Sequence, residues 1–306
     1  MPKNNKNKDP YVGFVGLGEM GKGMAMNILK GGYPLMVFDI DKKAVSQLQT
    51  AGAQIARDIS QIAKTCYTII LSLPSYSVVE EVVFGKNGFI QNLSPGQTVI
   101  DCGTTNPIVT KDFHDRLARN SITFIDAPVS GFPQRANDGT LTIMVGCENE
   151  KKFLEIKPLL DCMGETVVHL GGAGTGQIAK VINNVCYNIA CATIAELLPL
   201  SMKMGLDPEK IIEIISTSTG QSAAIKYFGP MILKRNFKSG YAMSNAYKDM
   251  ESIIDIMKTH KIPLPVTMAA VSTYQMALNQ GSGNESKAAM LKVWEKVLGV
   301  TVKKKN

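Results

Sequence analysis

Short apolar runs recur along the first half of the chain, at 12–15, 35–38, 68–73, 98–100, 123–125, 141–145 and 166–169. Between several of them, as at 42–51 and 108–119, the apolar residues fall at helical spacing. Short strands alternating with helices point to an α/β fold with a doubly wound, mostly parallel sheet. The alternation stops at Gly171-Gly172-Ala173-Gly174. From Gly176 onward a long helical run carries Ile178, Val181, Ile182, Val185, Ile189, Ala192 and Ile194 at spacings of three and four. Asp207-Pro208 reads as the N-cap and first residue of another helix, and helical segments follow at about 242–259, 266–279 and 285–298. The pattern predicts residues 1–172 as the α/β domain and 173–306 as an all-helical domain, without internal repeats. A length of 306 residues suits two domains, and 45% apolar with 19% charged residues excludes a disordered chain.

The first strand runs into Gly16-Leu17-Gly18-Glu19-Met20-Gly21 and then a helical segment to about Lys30. GxGxxG between a strand and a helix is the dinucleotide signature of a Rossmann-type domain. Gly16 allows the sharp turn, Gly18 lets backbone approach a pyrophosphate, and Gly21 lets the helix pack on the sheet. The second strand ends at Asp39, 18 residues after Gly21, where a carboxylate accepts from the adenosine ribose hydroxyls and repels a 2′-phosphate. NAD is therefore the expected cofactor. Lys42 and Lys43 lie close enough to leave NADP open.

A net charge of +7 invites a nucleic-acid or membrane reading. Most of it sits at the ends: residues 1–9 carry a net +2 and residues 301–306 a net +3, leaving a nearly neutral body. Both ends read as solvated, frayed tails, so neither nucleic acid nor membrane is an expected partner. The opening Met1-Pro2-Lys3-Asn4-Asn5 has no apolar signal region, and the six cysteines show no CxxC or metal-ligand spacing. Free thiols in a cytoplasmic protein, with no structural metal or disulfide, are expected.

Lys180 and Asn184 stand one turn apart on one face of the long helix. Its apolar neighbours Ile178, Val181, Ile182 and Val185 suggest burial, and a buried lysine has the lowered pKa that proton exchange near neutral pH needs. On spacing alone, a lysine snorkelling from a core helix fits equally well.

Several motifs in order decide between these readings. Beyond the glycine loop they are Leu73-Pro74 closing a strand, Asp101-Cys102-Gly103-Thr104-Thr105-Asn106-Pro107, Asp126-Ala127-Pro128-Val129-Ser130-Gly131, Gly176-Gln177-Ile178-Ala179-Lys180 with Asn184, and Lys248-Asp249. Together they resemble the β-hydroxyacid dehydrogenase family, which includes 3-hydroxyisobutyrate dehydrogenase and tartronate semialdehyde reductase, over about residues 12–298. The resemblance implies an NAD(P)-dependent oxidoreductase of a small 3-hydroxy acid or semialdehyde. It implies Lys180 as general acid/base and Asn184 as the residue orienting the substrate. Ser130 and the backbone N–H groups of Gly131 and Phe132 would hold the substrate carboxylate. Leu17, Glu19, Met20, Leu73, Pro74, Thr104 and Lys248 would join the glycines and Asp39 at the cofactor. It also implies a homodimer or homotetramer, with the long interdomain helix and the helical domain serving dimerisation and substrate closure.

Two departures stand out. Gly103 replaces a serine of the family pattern, and Phe132 replaces its second glycine. Phe resists the positive φ that such a turn favours. Either the turn differs locally or Phe132 forms a wall of the substrate pocket, and the second reading, favouring a more apolar substituent, is preferred. Arg135 could pair with a second anionic group or be a surface residue. Alternatives to the dehydrogenase are a reductase of another small carbonyl or imine, against which Lys180 counts, and a catalytically silent binding homologue, which would not need the Lys180/Asn184 pair. The family's 6-phosphogluconate dehydrogenases carry a much longer helical domain.

Overall fold

In the computed structural model, residues 11–304 are described. Lys3, Lys6, Lys8 and Lys305 of the expected tails lie outside the described residues. The chain divides into two compact units, Met1–Lys180 and Val181–Asn306.

In the first unit β1 (Val12–Val15), β2 (Leu35–Phe38), β3 (Gln54–Ile55), β4 (Thr68–Leu71), β5 (Thr98–Asp101) and β6 (Thr123–Asp126) form one parallel sheet. Helices α1 (Gly21–Lys30), α2 (Lys42–Thr50), α3 (Ile59–Thr65), α4 (Tyr76–Phe84) and α5 (Pro107–Ala118) alternate with these strands. The strand order β3-β2-β1-β4-β5-β6 reverses between β1 and β4, which opens a crevice at the carboxyl ends of those strands. Alternate residues serve two cores. Phe14, Ile70, Ile100 and Ile125 pack with Met24 and Ile28 of α1 on one face. Val15, Ile69, Leu71, Val99 and Phe124 pack with Ile62, Val79 and Phe113 on the other. Burial of both faces is why these strands read as unbroken apolar runs.

A second, three-stranded sheet follows, built from β7 (Val129–Ser130), β8 (Leu141–Val145) and β9 (Gly164–His169), with α6 (Phe132–Asp138) and α7 (Glu150–Asp161) between them. β7 is antiparallel to β8, and β9 is parallel to it. β3 and β7, two residues each, are too short to leave a periodic signal.

The rest is helical: α8 (Thr175–Lys203), α9 (Pro208–Thr217), α10 (Ala223–Leu233), α11 (Met243–His260), α12 (Pro265–Asn279) and α13 (Leu291–Leu298). Asp207 caps α9 as its sequence suggests, accepting from the Glu209 and Lys210 N–H groups at 3.0 and 3.2 Å. The expected helix at 285–298 begins instead as a 3-10 turn, Lys287–Met290.

Two sequence expectations need correction. Residues 302–304 of the expected C-terminal tail are docked: Val302 is fully buried and Lys304 pairs with Glu209 at 3.1 Å. The other concerns α8, which is two-faced. Val181 and Val185 are 1% and 6% exposed, whereas Ile178 and Ile182 are 43% and 53% exposed. Among the described residues α8 is the one helix whose length and composition would let it cross a bilayer. Its buried residues Cys191, Ala195 and Leu198 instead help build the core of the second unit.

Candidate active site

The three glycines of the first loop answer to different constraints. A Cβ on Gly16, which has φ +95°, would run into the Ser72 carbonyl, and one on Gly21 would run into the Gly16 carbonyl. Gly18 is different: a Cβ there would meet nothing within 4 Å. Its bare backbone faces open space, the cradle that close approach of a pyrophosphate requires. The N-terminus of α1 has no side-chain cap and no acidic residue in its first turn. By contrast, α2, α3 and α4 are capped by Asp41, Asp58 and Ser75. Uncapped N–H groups and the helix dipole favour an anion.

Leu17 is buried, Met20 half-buried, and Gly18 and Glu19 exposed along this loop. Half-buried Asp39 accepts from the Leu17 N–H at 2.5 Å and from the Asp41 N–H at 2.7 Å. One carboxylate thus braces the glycine loop and retains acceptor lone pairs for ribose hydroxyls. Lys42 and Lys43 are exposed on α2. The donor set fits a dinucleotide.

Leu73 is half-buried and Pro74 exposed just beyond β4. The loop after β5 is pinned from within. Asp101 is fully buried and accepts from the Gly103 N–H at 2.9 Å and the Thr105 hydroxyl at 3.0 Å. A Cβ on Gly103 would stand 3.0 Å from Asp101 Oδ1 and 3.2 Å from the Leu73 carbonyl, a tight fit. Fully buried Gln177 then grips the loop on both sides of Thr104. Its Nε2 donates to the Gly103 carbonyl at 2.8 Å and its Oε1 accepts from the Thr105 N–H at 3.0 Å. Thr104 itself is left exposed. Asp126 anchors the start of α8 by accepting from the Gly174 and Gln177 N–H groups at 2.8 and 2.9 Å. Burial pushes the Asp101 carboxyl up to about 6 and raises that of Asp126.

Gln177 was not foreseen as a functional residue, although its spacing of three from Lys180 places both on one face of α8. Lys180 is 9% exposed. Asn184 continues the same face one turn further, about 6 Å along the axis, in the second unit. There Asn184 Nδ2 donates to Asp249 Oδ2 at 3.0 Å. Asp249 is buried on α11, and the adjoining Lys248 is exposed. Lys248-Asp249 and Asn184 are thereby brought together within this unit.

The β7–α6 turn holds half-buried Ser130 and two successive residues of positive φ, Gly131 at +148° and Phe132 at +62°. Phe132 thus takes the positive φ that favours glycine, contrary to the expectation that Phe resists it. A left-handed non-glycine residue costs about 1–2 kcal/mol. The Phe132 side chain is on the surface, 40% exposed. Arg135 is committed elsewhere: its guanidinium donates to the Thr140 carbonyl and approaches the Thr140 hydroxyl at 3.5 Å. The second-anion reading of Arg135 loses its support.

Comparisons with known proteins place the fold in a family. A profile of the NAD-binding domain of 6-phosphogluconate dehydrogenase matches residues 11–171. A profile of the NAD-binding domain of NADP-dependent 3-hydroxyisobutyrate dehydrogenase matches residues 174–294. The chain is 36% identical to 2-(hydroxymethyl)glutarate dehydrogenase of Eubacterium barkeri over 296 residues, covering 96% of this chain and 98% of that one. It is 34% identical to human mitochondrial 3-hydroxyisobutyrate dehydrogenase over 277 residues, covering 88% and 82% of the two chains. The crystal structure of 3-hydroxyisobutyrate dehydrogenase from Salmonella typhimurium superposes with a TM-score of 0.86 at 25% identity, covering 93% of this chain and 100% of that one. Fold and site thus define an NAD(P)-binding oxidoreductase. The chain belongs to the β-hydroxyacid dehydrogenase family.

Proposed function

We propose that this protein interconverts a small 3-hydroxy acid and its semialdehyde, with NAD(H) preferred over NADP(H). The observation that carries the reading is the polar face of α8, where Gln177, Lys180 and Asn184 follow one another turn by turn. Gln177 ties this face to the loop that presents Thr104. A bound nicotinamide supplies the redox chemistry, taking or giving the hydride at the carbinol carbon. Lys180 Nζ takes the hydroxyl proton during oxidation and returns it to the carbonyl oxygen during reduction. Asn184 orients the reacting oxygen. Ser130 and the N–H groups of Gly131 and Phe132 hold the carboxylate by charge-assisted hydrogen bonds. The glycine loop, Leu73, Pro74, Thr104 and Lys248 position the cofactor, and Asp39 supports the preference for NAD.

The substrate reading follows from Phe132, the departure in the β7–α6 turn, and from the placement of Arg135. With Arg135 held by Thr140, the turn offers one carboxylate site, and the strained, exposed Phe132 offers an apolar wall. A monocarboxylate with an apolar substituent suits it better than a dicarboxylate. An NADH-oxidation screen across small semialdehydes should show its highest kcat/KM on branched monocarboxylates. Consumption of none of them would overturn the reading, and tighter NADPH than NADH binding in a fluorescence titration would overturn the cofactor preference. The lysine favours carbonyl over imine chemistry.

A homo-oligomer belongs to the same proposal. Ile178 and Ile182, and further along Leu197 and Leu200, lie exposed on α8, and exposed apolar side chains of this kind suit a second copy. Light scattering after size exclusion should give a dimer or tetramer, and a monomer at micromolar concentration would refute it. The six free cysteines, with burial raising the thiol pKa of Cys66 and Cys147, suit a reducing, cytoplasmic setting.

A further inference from the structure

Lys287 opens the 3-10 turn before α13 and is 4% exposed, a charged side chain inside the core of the helical unit. Its Nζ donates to Asn188 Oδ1 at 2.6 Å and stands 4.3 Å from the centroid of the Tyr187 ring and 5.7 Å from that of Tyr241. Burial pulls its pKa down, while Asp249 and Cys191 act to raise it. Removing a lysine from water costs several kcal/mol unless charge and hydrogen bonds compensate, so an apolar core gains nothing from it at this position. The partners explain its placement. Asn188 is the next residue after Asn184 on the same face of α8, and it is fully buried. With its Oδ1 taken by the ammonium, the Asn188 amide must turn Nδ2 toward the Ala246 carbonyl, 3.5 Å away on α11. Three residues further along α11, Asp249 accepts from Asn184. The 3-10 turn, α8 and α11 are therefore laced together by a single cation.

We propose that Lys287 is a positioning residue: through Asn188, whose amide it turns toward the Ala246 carbonyl of α11, it steadies the helix that carries Asp249 and so the pose in which Asn184 presents its amide. The inference rests on the substrate-orienting role proposed for Asn184. Without the ammonium, the Asn188 amide is free to flip away from the Ala246 carbonyl, α11 is held less firmly against α8, and Asp249 no longer fixes the Asn184 amide in one orientation. Lys287 itself needs no contact with substrate or cofactor.

A double-mutant cycle tests this with Lys287→Met, Asn184→Ala and the pair, assayed on the best substrate of the screen. Lys287→Met should lower kcat/KM by about tenfold, the loss of one charge-assisted hydrogen bond, and leave NADH affinity unchanged. In the Asn184→Ala background the same substitution should change kcat/KM by less than about twofold, because residues acting through one group are not additive. Equal losses in both backgrounds would show that Lys287 only supports the fold and would overturn the proposal. Should Lys287→Met fail to fold, Asn188→Ser enters the same cycle with the same two outcomes. A readout without substrate keeps this inference separate from the proposed reaction. The Asn184 side-chain amide resonance, identified by its absence in Asn184→Ala, should shift in Lys287→Met while that of Asn27 stays in place. An unmoved Asn184 resonance overturns the positioning role even if the enzyme is active. No activity on any semialdehyde, with the resonance shifted, overturns the proposed reaction and leaves the clamp standing.

Discussion

In the α/β unit the groups that face a ligand are mostly backbone: the bare Gly18 in open space, the uncapped N–H groups of α1, and the β7–α6 turn. In the helical unit the proposed group is a side chain, Asn184, held by buried Asp249, and the next residue on that face, Asn188, is held in turn by Lys287. Backbone sites depend on φ and on the absence of a Cβ, so they are rigid once the strand and helix on either side are in place. Side-chain sites depend on rotamers, which only a satisfied network can hold. The first kind should fail abruptly on substitution and the second by degrees.

The largest effect is expected at Lys180 on α8. Lys180→Ala should lower turnover by about a hundredfold or more, the scale of a general acid/base, with NADH binding preserved in a fluorescence titration. Retained turnover would remove Lys180 from the chemistry. Next come the glycines, which separate cradle from fold. Gly18→Val should weaken NADH binding by more than about tenfold and leave the melting temperature unchanged, since a Cβ there meets no protein atom within 4 Å. Gly16→Val should instead lower the melting temperature, because φ is +95° and the Ser72 carbonyl blocks the Cβ. Equal melting temperatures for the two variants would break the distinction.

Gln177→Met tests whether a side-chain grip matters inside the backbone-built unit. It leaves the Gly103 carbonyl and Thr105 N–H without their partner, a loss of about 1–3 kcal/mol. The expected outcome is a lower melting temperature together with a fall in kcat measured under saturating NADH; a fall in stability alone would confine Gln177 to the fold. The smallest effect is in pH dependence. Burial lifts the Asp101 carboxyl from 3.8 to about 6, so the native protein binds that proton more tightly than the unfolded chain does. Its contribution is complete below the unfolded value and is lost as pH rises through about 6. Asp126 shifts the same way. Asp101→Asn should therefore flatten part of the decline in melting temperature between about pH 4 and 6.5, and an unchanged slope would refute the shift.

The α/β unit was legible because its signals are local. β1, β2 and β8 fall where the apolar runs predicted them, and GxGxxG sits between β1 and α1. Asp39 was legible by distance from the loop, though its bond to the Leu17 N–H was not. The face of α8 carrying Lys180 and Asn184 was legible from spacing, whereas the exposure of Ile178 and Ile182 was not, because apolarity does not say which side of a helix finds a neighbour. α10 left no recognised signal, although Ser222 caps it. Phe132 was noticed as a departure, but only its φ of +62° shows that a phenylalanine takes a left-handed backbone there, at the expense of strain.

The sequence by itself determined the class of fold, the dinucleotide loop and the lysine–asparagine pair, since each follows from residues within a turn or a strand of one another. Tertiary structure alone decided that Gln177 grips the loop around Thr104, that Arg135 turns to Thr140, and that Lys287 reaches Asn188 from 99 residues away. Those contacts join groups far apart in the chain, and buried polar groups take whichever partner the packed fold brings within reach.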